Sequence, residues 1–499
     1  MNNYCKITFS LCLLFSSISW AQQNNYWAIQ YGGRSALLGG AAIGGFEDNA
    51  SFYYNPGAVG FLNSASFSIN TSSVGWYGYS FTDAFGPGTE VSDLKSFTVP
   101  YMISGIIPIK IAQTPKLKLG FTLFHKATSE TEFDFSQEMD FDLVERYPGT
   151  EDYSASLNSH DVFNDQWFGV TTAYSINDQL SVGLTTFLTI SDRLSNYNQN
   201  TIVYPDDGTI NDLYSTALRS TVTNRMRVYK NNVVFKLGAS YKLNSSNIGV
   251  TLTALSVGLN IFNYSRIEQM HDMDNIWIQN EEQTTYINSL TLNGAGADLR
   301  SNYKTPLSIG LGYHVETGDK GHISFSTEYF NKIDSYTALE FEHPSFTFPQ
   351  ETVLLGKGTS KVVYRRASKA LMNVAIGAER RLSSRLSVLG SFRTDFSHFE
   401  APDYSDLKPY EILKTIEIDQ DLYHVTLGVM GFVQKVNLDL TFGIDYAYGS
   451  NNNEEPIANF VETIESDLER GLFLSGETDF DAQFNSQQLT VMFGFQLGF

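Results

Sequence analysis

The strongest constraint on the fold is a strict two-residue alternation of apolar and polar side chains that recurs along the chain. In residues 436–448 every second residue is apolar, and the residues between are polar or small. This period places one set of side chains on each face of a β-strand. The same pattern predicts fourteen strands, at 64–73, 97–108, 116–135, 162–176, 179–193, 225–242, 247–266, 305–316, 320–335, 363–381, 385–399, 421–434, 436–449 and 487–499.

Short and long connections alternate between these predicted strands. Tight turns are predicted at Asn177-Asp178, Asn244-Ser245-Ser246, Thr317-Gly318-Asp319, Ser383-Ser384 and Gln434-Lys435. Long polar connections are predicted near 136–161, 194–224, 267–304, 336–362, 400–420 and 450–486. A soluble β-sandwich is the alternative, but it uses shorter strands and Greek-key crossings. An even strand count with short turns at one end and long loops at the other is typical of outer-membrane barrels. The sequence therefore predicts an all-β, 14-stranded antiparallel transmembrane β-barrel.

The first 21 residues have the layout of a secretory signal peptide. Lys6 supplies the positive start, residues 7–18 are largely apolar, and small residues precede a predicted cut after Ala21. Both cysteines, Cys5 and Cys12, lie in this peptide. The mature chain would therefore contain no disulfide and no thiolate metal site. These features predict a multi-pass barrel of the bacterial outer membrane.

The chain carries a formal net charge of −21. A strongly acidic chain is a poor nucleic-acid binder, because such binding requires basic patches. The long connections at 130–161 and 451–486 are especially acidic, which suggests either divalent-cation binding or a solvated outer surface. Acidic and aromatic residues alternate in residues 129–145, SETEFDFSQEMDFDLVE, and this favours a solvated, strand-like surface over a calcium loop.

No catalytic motif is present in the sequence. His160 and Asp161 are adjacent, but neighbours on a strand point to opposite faces and would not act together. His314 and His424 share the polar phase of their strands and are expected to be interior, hydrogen-bonded histidines. We therefore expect neither an enzyme nor a cofactor.

Residues 32–62, GGRSALLGGAAIGGFEDNASFYYNPGAVGFL, precede the first predicted strand. The segment contains a Gly-Arg pair (33–34), a run of small residues (39–45), an acidic pair followed by alanine (47–50) and an Asn-Pro turn (55–57). This pattern resembles the N-terminal hatch of the FadL-type outer-membrane transporters of long-chain fatty acids and other hydrophobic compounds. Gly57 stands where that family usually has alanine. The resemblance divides the chain into a signal peptide (1–21), a hatch (22–62) and a barrel (63–499).

The resemblance implies a passive uptake channel for hydrophobic molecules such as fatty acids or hydrocarbons. In that family, ligand passes from the outer loops to a pocket near the N-terminus and leaves sideways through a kinked strand. Pro100, Pro108 and Gly120 are candidates for such an interruption. Related barrels act in protein secretion or surface attachment, which is the alternative function. The expected partners are hydrophobic small molecules, outer-membrane lipid, lipopolysaccharide and the barrel-assembly machinery, and the expected state is a monomer.

The resemblance also places the ligand-binding or gating residues in the hatch. Arg34 would pair with a carboxylate of either the wall or the ligand. Gly39 and Gly40 would allow unusual backbone conformations, and Asn55 would cap a short helix that begins at Pro56. The remaining candidates are Asp48, Gly57 and the aromatic residues Phe52, Tyr53 and Phe61; Tyr26, Trp27, Phe46 and Tyr54 add apolar surface.

Overall fold

The computed structural model describes residues 24–45, 48–62, 64–70, 72–98, 102–111, 114–144, 149–204, 217–259, 264–279, 284–344, 359–467 and 470–499. The predicted signal peptide, Phe46, Glu47 and Pro100 lie outside these residues. In the described part of the chain no helix is long and apolar enough to cross a membrane.

Almost all regular structure is β-strand. The strands are β1 (Ser66–Asn70), β2 (Ser72–Thr82), β3 (Glu90–Thr98), β4 (Met102–Ile111), β5 (Thr114–Phe141), β6 (Glu151–Ser175), β7 (Leu180–Tyr204), β8 (Leu218–Lys242), β9 (Ser246–Thr253), β10 (Val257–Gly258), β11 (Ser265–Gln279), β12 (Thr284–Leu299), β13 (Ser308–Glu316), β14 (Gly321–Phe330), β15 (Ile333–Pro344), β16 (Thr359–Ser368), β17 (Leu371–Ser383), β18 (Leu386–Asp395), β19 (Phe399–Glu400), β20 (Leu422–Val433), β21 (Leu438–Glu454), β22 (Ile464–Asp467), β23 (Leu472–Ser475) and β24 (Ala482–Gly498). Two short α-helices, α1 (Gly33–Leu37) and α2 (Ser51–Tyr54), precede them. Single 3₁₀ turns lie at Ala58–Phe61, Gly318–Lys320, Pro409–Glu411 and Gln434–Val436.

Fourteen wall strands close into an antiparallel barrel. The first consists of β1 and β2, and the second of β3 and β4. The others follow in chain order: β5, β6, β7, β8, β9, β13, β14, β17, β18, β20, β21 and β24. The last strand, β24, pairs with β1 and β2, so the sheet closes on itself. The predicted fold class and all five predicted tight turns are confirmed.

Four wall strands, β5 to β8, are longer than the sequence predicted, whereas β9 ends at Thr253 instead of the predicted 266. The structure has β5 at 28 residues and β6, β7 and β8 at 25 each, so most of the predicted polar connections 136–161 and 194–224 are strand. The other long connections contain the hairpin β11–β12, the sheet of β15, β16 and β19, and the hairpin β22–β23. These connections are polar because the outer face of such extensions meets water, while the inner face packs into a buried apolar cluster that includes Phe133, Leu157 and Val203.

The outward face of the wall carries an apolar band. On β20, for example, Tyr423, Val425, Leu427 and Val429 are all exposed, and the residues between them point inward. Exposed apolar side chains in such numbers require a lipid environment, and a closed barrel is the only sheet without unpaired edges in lipid. The chain is therefore a β-barrel of the bacterial outer membrane.

The described residues 24–62 lie against the inner face of this wall. None of their side chains is exposed, and α1 contacts β18, β20, β21 and β24. The aromatic side chains of Tyr31, Tyr53 and Tyr54 pack with Phe124 and Trp167 of the wall in one buried cluster. The N-terminal segment is thus buried partly against itself and partly against the barrel wall.

Candidate functional site

The N-terminal segment contacts the wall at inward-facing glycines that neighbour one another across four strands. Gly183 of β7 pairs with Gly238 of β8, and Gly249 of β9 pairs with Gly312 of β13. A Cβ atom on any of them would overlap the segment, at Pro56, Asn55, Ile43 and Gly44 respectively. The absent side chains therefore allow backbone to approach backbone in the lumen.

Asn55 fastens this contact with a fully buried side chain. Its Nδ2 donates to the carbonyl oxygens of Ile43 (2.7 Å) and Ala239 (3.1 Å), and its Oδ1 accepts from the Gly57 N–H (2.9 Å). The predicted helix cap is thus an Asx turn: the helical turn begins at Ala58, with Gly57 and not Asn55 at its N-cap. Asn55 connects the two arms of the segment to β8.

Arg34 and Asp48 both make structural contacts. The Arg34 Nε donates to Glu379 Oε2 of β17 at 2.6 Å, which matches the wall-carboxylate alternative for this residue. Asp48 accepts from the Ser35 backbone N–H and hydroxyl (3.0 and 2.9 Å) and from the Ala50 N–H (2.9 Å). Arg34 therefore ties the segment to the wall, and Asp48 holds its two helices together.

The other predicted site residues mostly pack. Gly39 and Gly40 have φ angles of +64° and +77°, the left-handed region that glycine adopts without strain. The ring of Phe52 lies against Gly120, and Lys242 Nζ lies 4.2 Å above the ring of Phe61. Of the ten predicted site residues, only Tyr53 lines the main cavity described below.

That cavity lies in the lumen beside the N-terminal segment and has a volume of about 90 Å³. Its aromatic lining consists of Tyr26, Tyr53, Phe163, Trp167, Tyr303, Phe330 and Tyr336. Most pockets for small hydrophobic ligands share this form, with an apolar wall and a few placed polar groups.

The charged groups of the cavity are predominantly cationic: Lys126, Lys236, Lys304 and Arg366 face two carboxylates, Asp165 and Glu328. Both carboxylates have donors already, since Asp165 accepts from Trp167 Nε1 and Ser191 (both 2.8 Å) and Glu328 accepts from Trp27 Nε1 (3.1 Å) and Ser308 (2.7 Å). The Nη1 of Arg366 is buried and has no hydrogen-bond acceptor among the described residues. A ligand with an anionic head would supply one.

The wall is interrupted beside this cavity. β4 pairs with β5 as far as Met102 and Phe124, but among the described residues β3 pairs only with β2 and forms no ladder with β5. The register of β5 with β6 also shifts between His125 and Ala127. At this bulge, Lys126 and Ala127 belong both to the edge of the break and to the cavity lining. Among the described residues, the pairing therefore leaves a gap in the wall between β3 and β5, beside the cavity.

Neither described gate candidate interrupts the wall. Pro108 pairs with Lys118 and Gly120 pairs with Ile106 in a continuous register. At the upper end of the break, side chains replace the missing ladder: Lys95 Nζ lies 3.0 Å from Glu132 Oε2, and Tyr79 donates to the Glu132 carbonyl at 3.1 Å. The opening is thus confined to the region of the β5 bulge.

The N-terminal segment holds that bulge through Tyr31. Its hydroxyl lies 2.7 Å from the carbonyl oxygen of His125 and 3.2 Å from that of Lys126, and Lys126 Nζ donates to the Tyr26 carbonyl. Movement of the segment would therefore change the shape of the break directly.

A buried ion cluster joins the 401–421 connection to the barrel wall. Arg193 of β7 donates to Asp161 of β6 (2.8 Å) and to Glu417 of the 401–421 connection, and Tyr364 of β16 completes the cluster. Burial would raise the pKa of Glu417, but the guanidinium groups of Arg193 and Arg366 hold it at about 2. These ion pairs therefore hold the 401–421 connection against the barrel wall.

The histidines behave as the alternation predicts. His160 contacts Glu130 at 2.8 Å, whereas Asp161 contacts Arg193 on the other face of β6. His314 and His424 are buried and hydrogen-bonded to Ser324 and Asp445. Among the described residues, no three His, Cys, Asp or Glu side chains form a group that could hold a metal ion.

Sequence reasoning missed most of the cavity. Lys126, Trp167, Lys236, Tyr303 and Arg366 come from separate strands and connections, and none belongs to a recognisable motif. The available signal was a polar or cationic residue at an inward-facing strand position, but such residues also occur at many positions that do not line the cavity.

Comparison with solved structures finds the same architecture. The Pseudomonas putida toluene transporter TodX matches in two structures, at 13% identity in both. One has a TM-score of 0.51 and covers 94% of this chain and 98% of that one; the other has 0.50, with 97% and 99%. A deltaS2 mutant of the TodX monoaromatic hydrocarbon channel gives 0.51 at 13% identity, covering 94% and 99%. Comparison of the sequence with protein-family models and with curated proteins finds no match. The predicted resemblance is confirmed for the fold.

Proposed function

We propose that this protein is a passive outer-membrane channel for hydrophobic molecules. The observation that carries the proposal is the aromatic-lined lumen cavity whose residues Lys126 and Ala127 also form the edge of the break between β3 and β5. The shared fold with TodX, described as a toluene transporter, supports the same class of function. An apolar path through a protein wall gives such molecules a way past the charged outer leaflet.

In this proposal, residues 22–62 act as a hatch. Ligand enters the cavity from the extracellular side, contacts Tyr53 at its floor, and leaves through the wall when the segment around Tyr31 moves. Leu94, on the β3 side of the break, is 71% exposed on the lipid-facing surface, so the break adjoins the membrane. Lateral exit keeps the ligand in an apolar medium throughout.

The cation excess favours ligands with a carboxylate, such as fatty acids, over neutral hydrocarbons. A buried guanidinium with an unsatisfied Nη1 stabilises an anionic head more than a methyl group, because leaving it unpaired costs about 1–3 kcal/mol. Arg366 is already stacked at 4.3 Å on the ring of Tyr303, so its position is fixed before ligand arrives.

The test is uptake of labelled oleate by proteoliposomes that contain wild type, Ala127→Trp or Ser136→Trp. Ala127 is buried at the break, whereas Ser136 is exposed further along the same strand. Ala127→Trp should reduce uptake at least about tenfold by filling the exit, and Ser136→Trp should leave uptake unchanged. Equal uptake by all three, or uptake no faster than in empty vesicles, would refute the proposal.

A further inference from the structure

A small basic surface lies on the outside of the barrel where β8 meets β11. The lipid-facing side of β8 is marked by the exposed residues Phe235, Leu237 and Tyr241, and by Leu243 directly after the strand. From residue 243 to residue 233, ten steps of ~3.4 Å on a strand tilted by ~40° span about 26 Å, the height of a transmembrane apolar band. The next outward positions on β8 therefore lie at the level of the outer-leaflet headgroups.

Two tyrosines occupy the boundary. Tyr229 of β8 and Tyr264, just before β11, meet edge to face with ring centroids 5.7 Å apart, and Tyr264 is 58% exposed. Tyrosines with an apolar body and a polar tip are typical of the aromatic girdle of outer-membrane barrels. The pair independently marks the edge of the hydrocarbon layer.

Arginines follow directly above the tyrosines. Arg227 of β8 and Arg266 of β11 stand opposite each other in the register, an arrangement of like charges that is unfavourable without a counter-ion. Asp192 engages Arg227 with both oxygens, at 3.0 and 2.7 Å. Arg266 is exposed and has no ion-pair partner within 4.0 Å in the part of the chain that the structure describes.

The next pair of residues outward on β8 and β11 does little to neutralise the positive charge of Arg266. Arg225 stands opposite Glu268, but the two charged groups are 3.7 Å apart and both side chains are at least half exposed. Across the β7, β8 and β11 ladders, three arginines therefore face two carboxylates, on a chain whose formal net charge is −21. Asp298 lies beside Arg266 at the β11–β12 bulge, but the two form no ion pair within 4.0 Å in the described structure. The local charge is therefore positive, whereas the net charge of the whole chain is negative.

We propose that the Arg227–Arg266 surface binds a phosphate group of the phosphorylated glycolipid of the outer leaflet. The position fixes the occupant, because only lipid headgroups lie directly above the apolar band. A guanidinium pair can bind phosphate in bidentate fashion, and the Tyr229–Tyr264 pair would lie beneath the sugar, beside the acyl chains. The site anchors the barrel at one depth and orientation in an asymmetric membrane.

The test compares lipid probes on the full-length protein in nanodiscs. Bisphosphorylated lipid A, dephosphorylated lipid A and inorganic phosphate are titrated against wild type, Arg266→Gln and Arg385→Gln. Arg385 is an exposed arginine in the turn at the opposite end of the barrel, so its substitution removes the same charge elsewhere. Arg266→Gln removes the unpaired guanidinium and leaves the Arg227–Asp192 pair in place.

We expect wild type to bind bisphosphorylated lipid A about tenfold more tightly than the dephosphorylated form, and inorganic phosphate only weakly. Arg266→Gln should remove most of that preference, Arg385→Gln should retain it, and oleate uptake should be unchanged in both. Equal affinity for the two lipid forms, equal effects of the two substitutions, or inorganic phosphate binding as tight as lipid A would each overturn the proposal. Because uptake is measured separately, failure of the lipid site and failure of the channel function are distinguishable.

Discussion

Asn55→Ala should loosen the N-terminal segment while the barrel stays intact. The substitution removes a side chain that makes three hydrogen bonds, two as donor to Ile43 and Ala239 and one as acceptor from Gly57. None of the atoms involved can turn to bulk water, because Asn55 is fully buried. The wall ladder of β8 does not depend on this side chain.

The expected size follows from these contacts. A buried hydrogen bond contributes about 1 kcal/mol, so three of them stabilise the docked segment by about 3 kcal/mol. Since 1.4 kcal/mol corresponds to a factor of ten in an equilibrium constant, the undocked population should rise roughly a hundredfold. The orphaned N–H of Gly57 makes this a lower estimate.

Hydrogen–deuterium exchange of the detergent-solubilised protein measures this change. Peptides covering residues 41–57 should exchange about a hundredfold faster in Asn55→Ala than in wild type, while wall peptides keep their rates. Asn452→Ala, at an exposed asparagine near the end of β21, is the matched control and should change nothing. If the 41–57 peptides exchange at wild-type rates in Asn55→Ala, the side chain does not hold the segment and the reasoning is wrong.

Three further predictions follow from the same contacts. Gly312→Ala places a Cβ against the backbone of Gly44 and should open a leak in planar-bilayer conductance. In Gly310→Ala the only close contacts are side-chain atoms of Thr251 and Ile43, which can shift, so no leak is expected. Equal conductance of the two variants would contradict this. Tyr31→Phe removes the hydroxyl that lies 2.7 Å from the His125 carbonyl oxygen at the β5 bulge, so hydrogen–deuterium exchange in residues 29–31 should become about fivefold faster. Unchanged exchange would show that this hydroxyl does not hold the segment to the bulge. The pKa of Glu417 is about 2, against an ordinary value of 4.5, so its ionised form stabilises the folded 401–421 connection by about 3 kcal/mol. This stabilisation is complete above pH 4.5 and is lost as the pH falls towards 2. Proteolysis of the 401–421 connection should accelerate over that window in wild type and be independent of pH in Glu417→Gln.

The sequence predicted the wall well because its signal is local. In the central parts of β20 and β21, residues 422–429 and 440–450, burial follows the alternation predicted from the sequence, and both strands were predicted to within about five residues. The extracellular extensions of β5 to β8 were mistaken for loops, because residues such as Asp134 and Asn158 are polar as in a loop although they pair in a ladder. Polarity reports what a face meets, and outside the membrane both a strand and a loop can meet water.

The candidate site was predicted only in part. The Asn55 contacts and the Arg34–Glu379 pair involve the segment that the motif identified, although the partner of Arg34 could not be named beforehand. The cavity depends on Lys126 and Arg366, which are 240 positions apart in the chain and come together only through strand order and register. No local pattern distinguishes them from other inward-facing cations.

The sequence by itself determined that this chain forms a closed, lipid-facing barrel, because a two-residue period with one apolar face admits no other stable arrangement in a membrane. It also determined that residues 32–62 need a host, since a segment so rich in glycine and alanine cannot bury enough surface alone. The tertiary structure decided where the wall is unpaired, which glycines receive the segment, and which charges remain unneutralised. Those features arise from contacts between residues far apart in the chain, and their energies depend on register and burial that alternation alone does not specify.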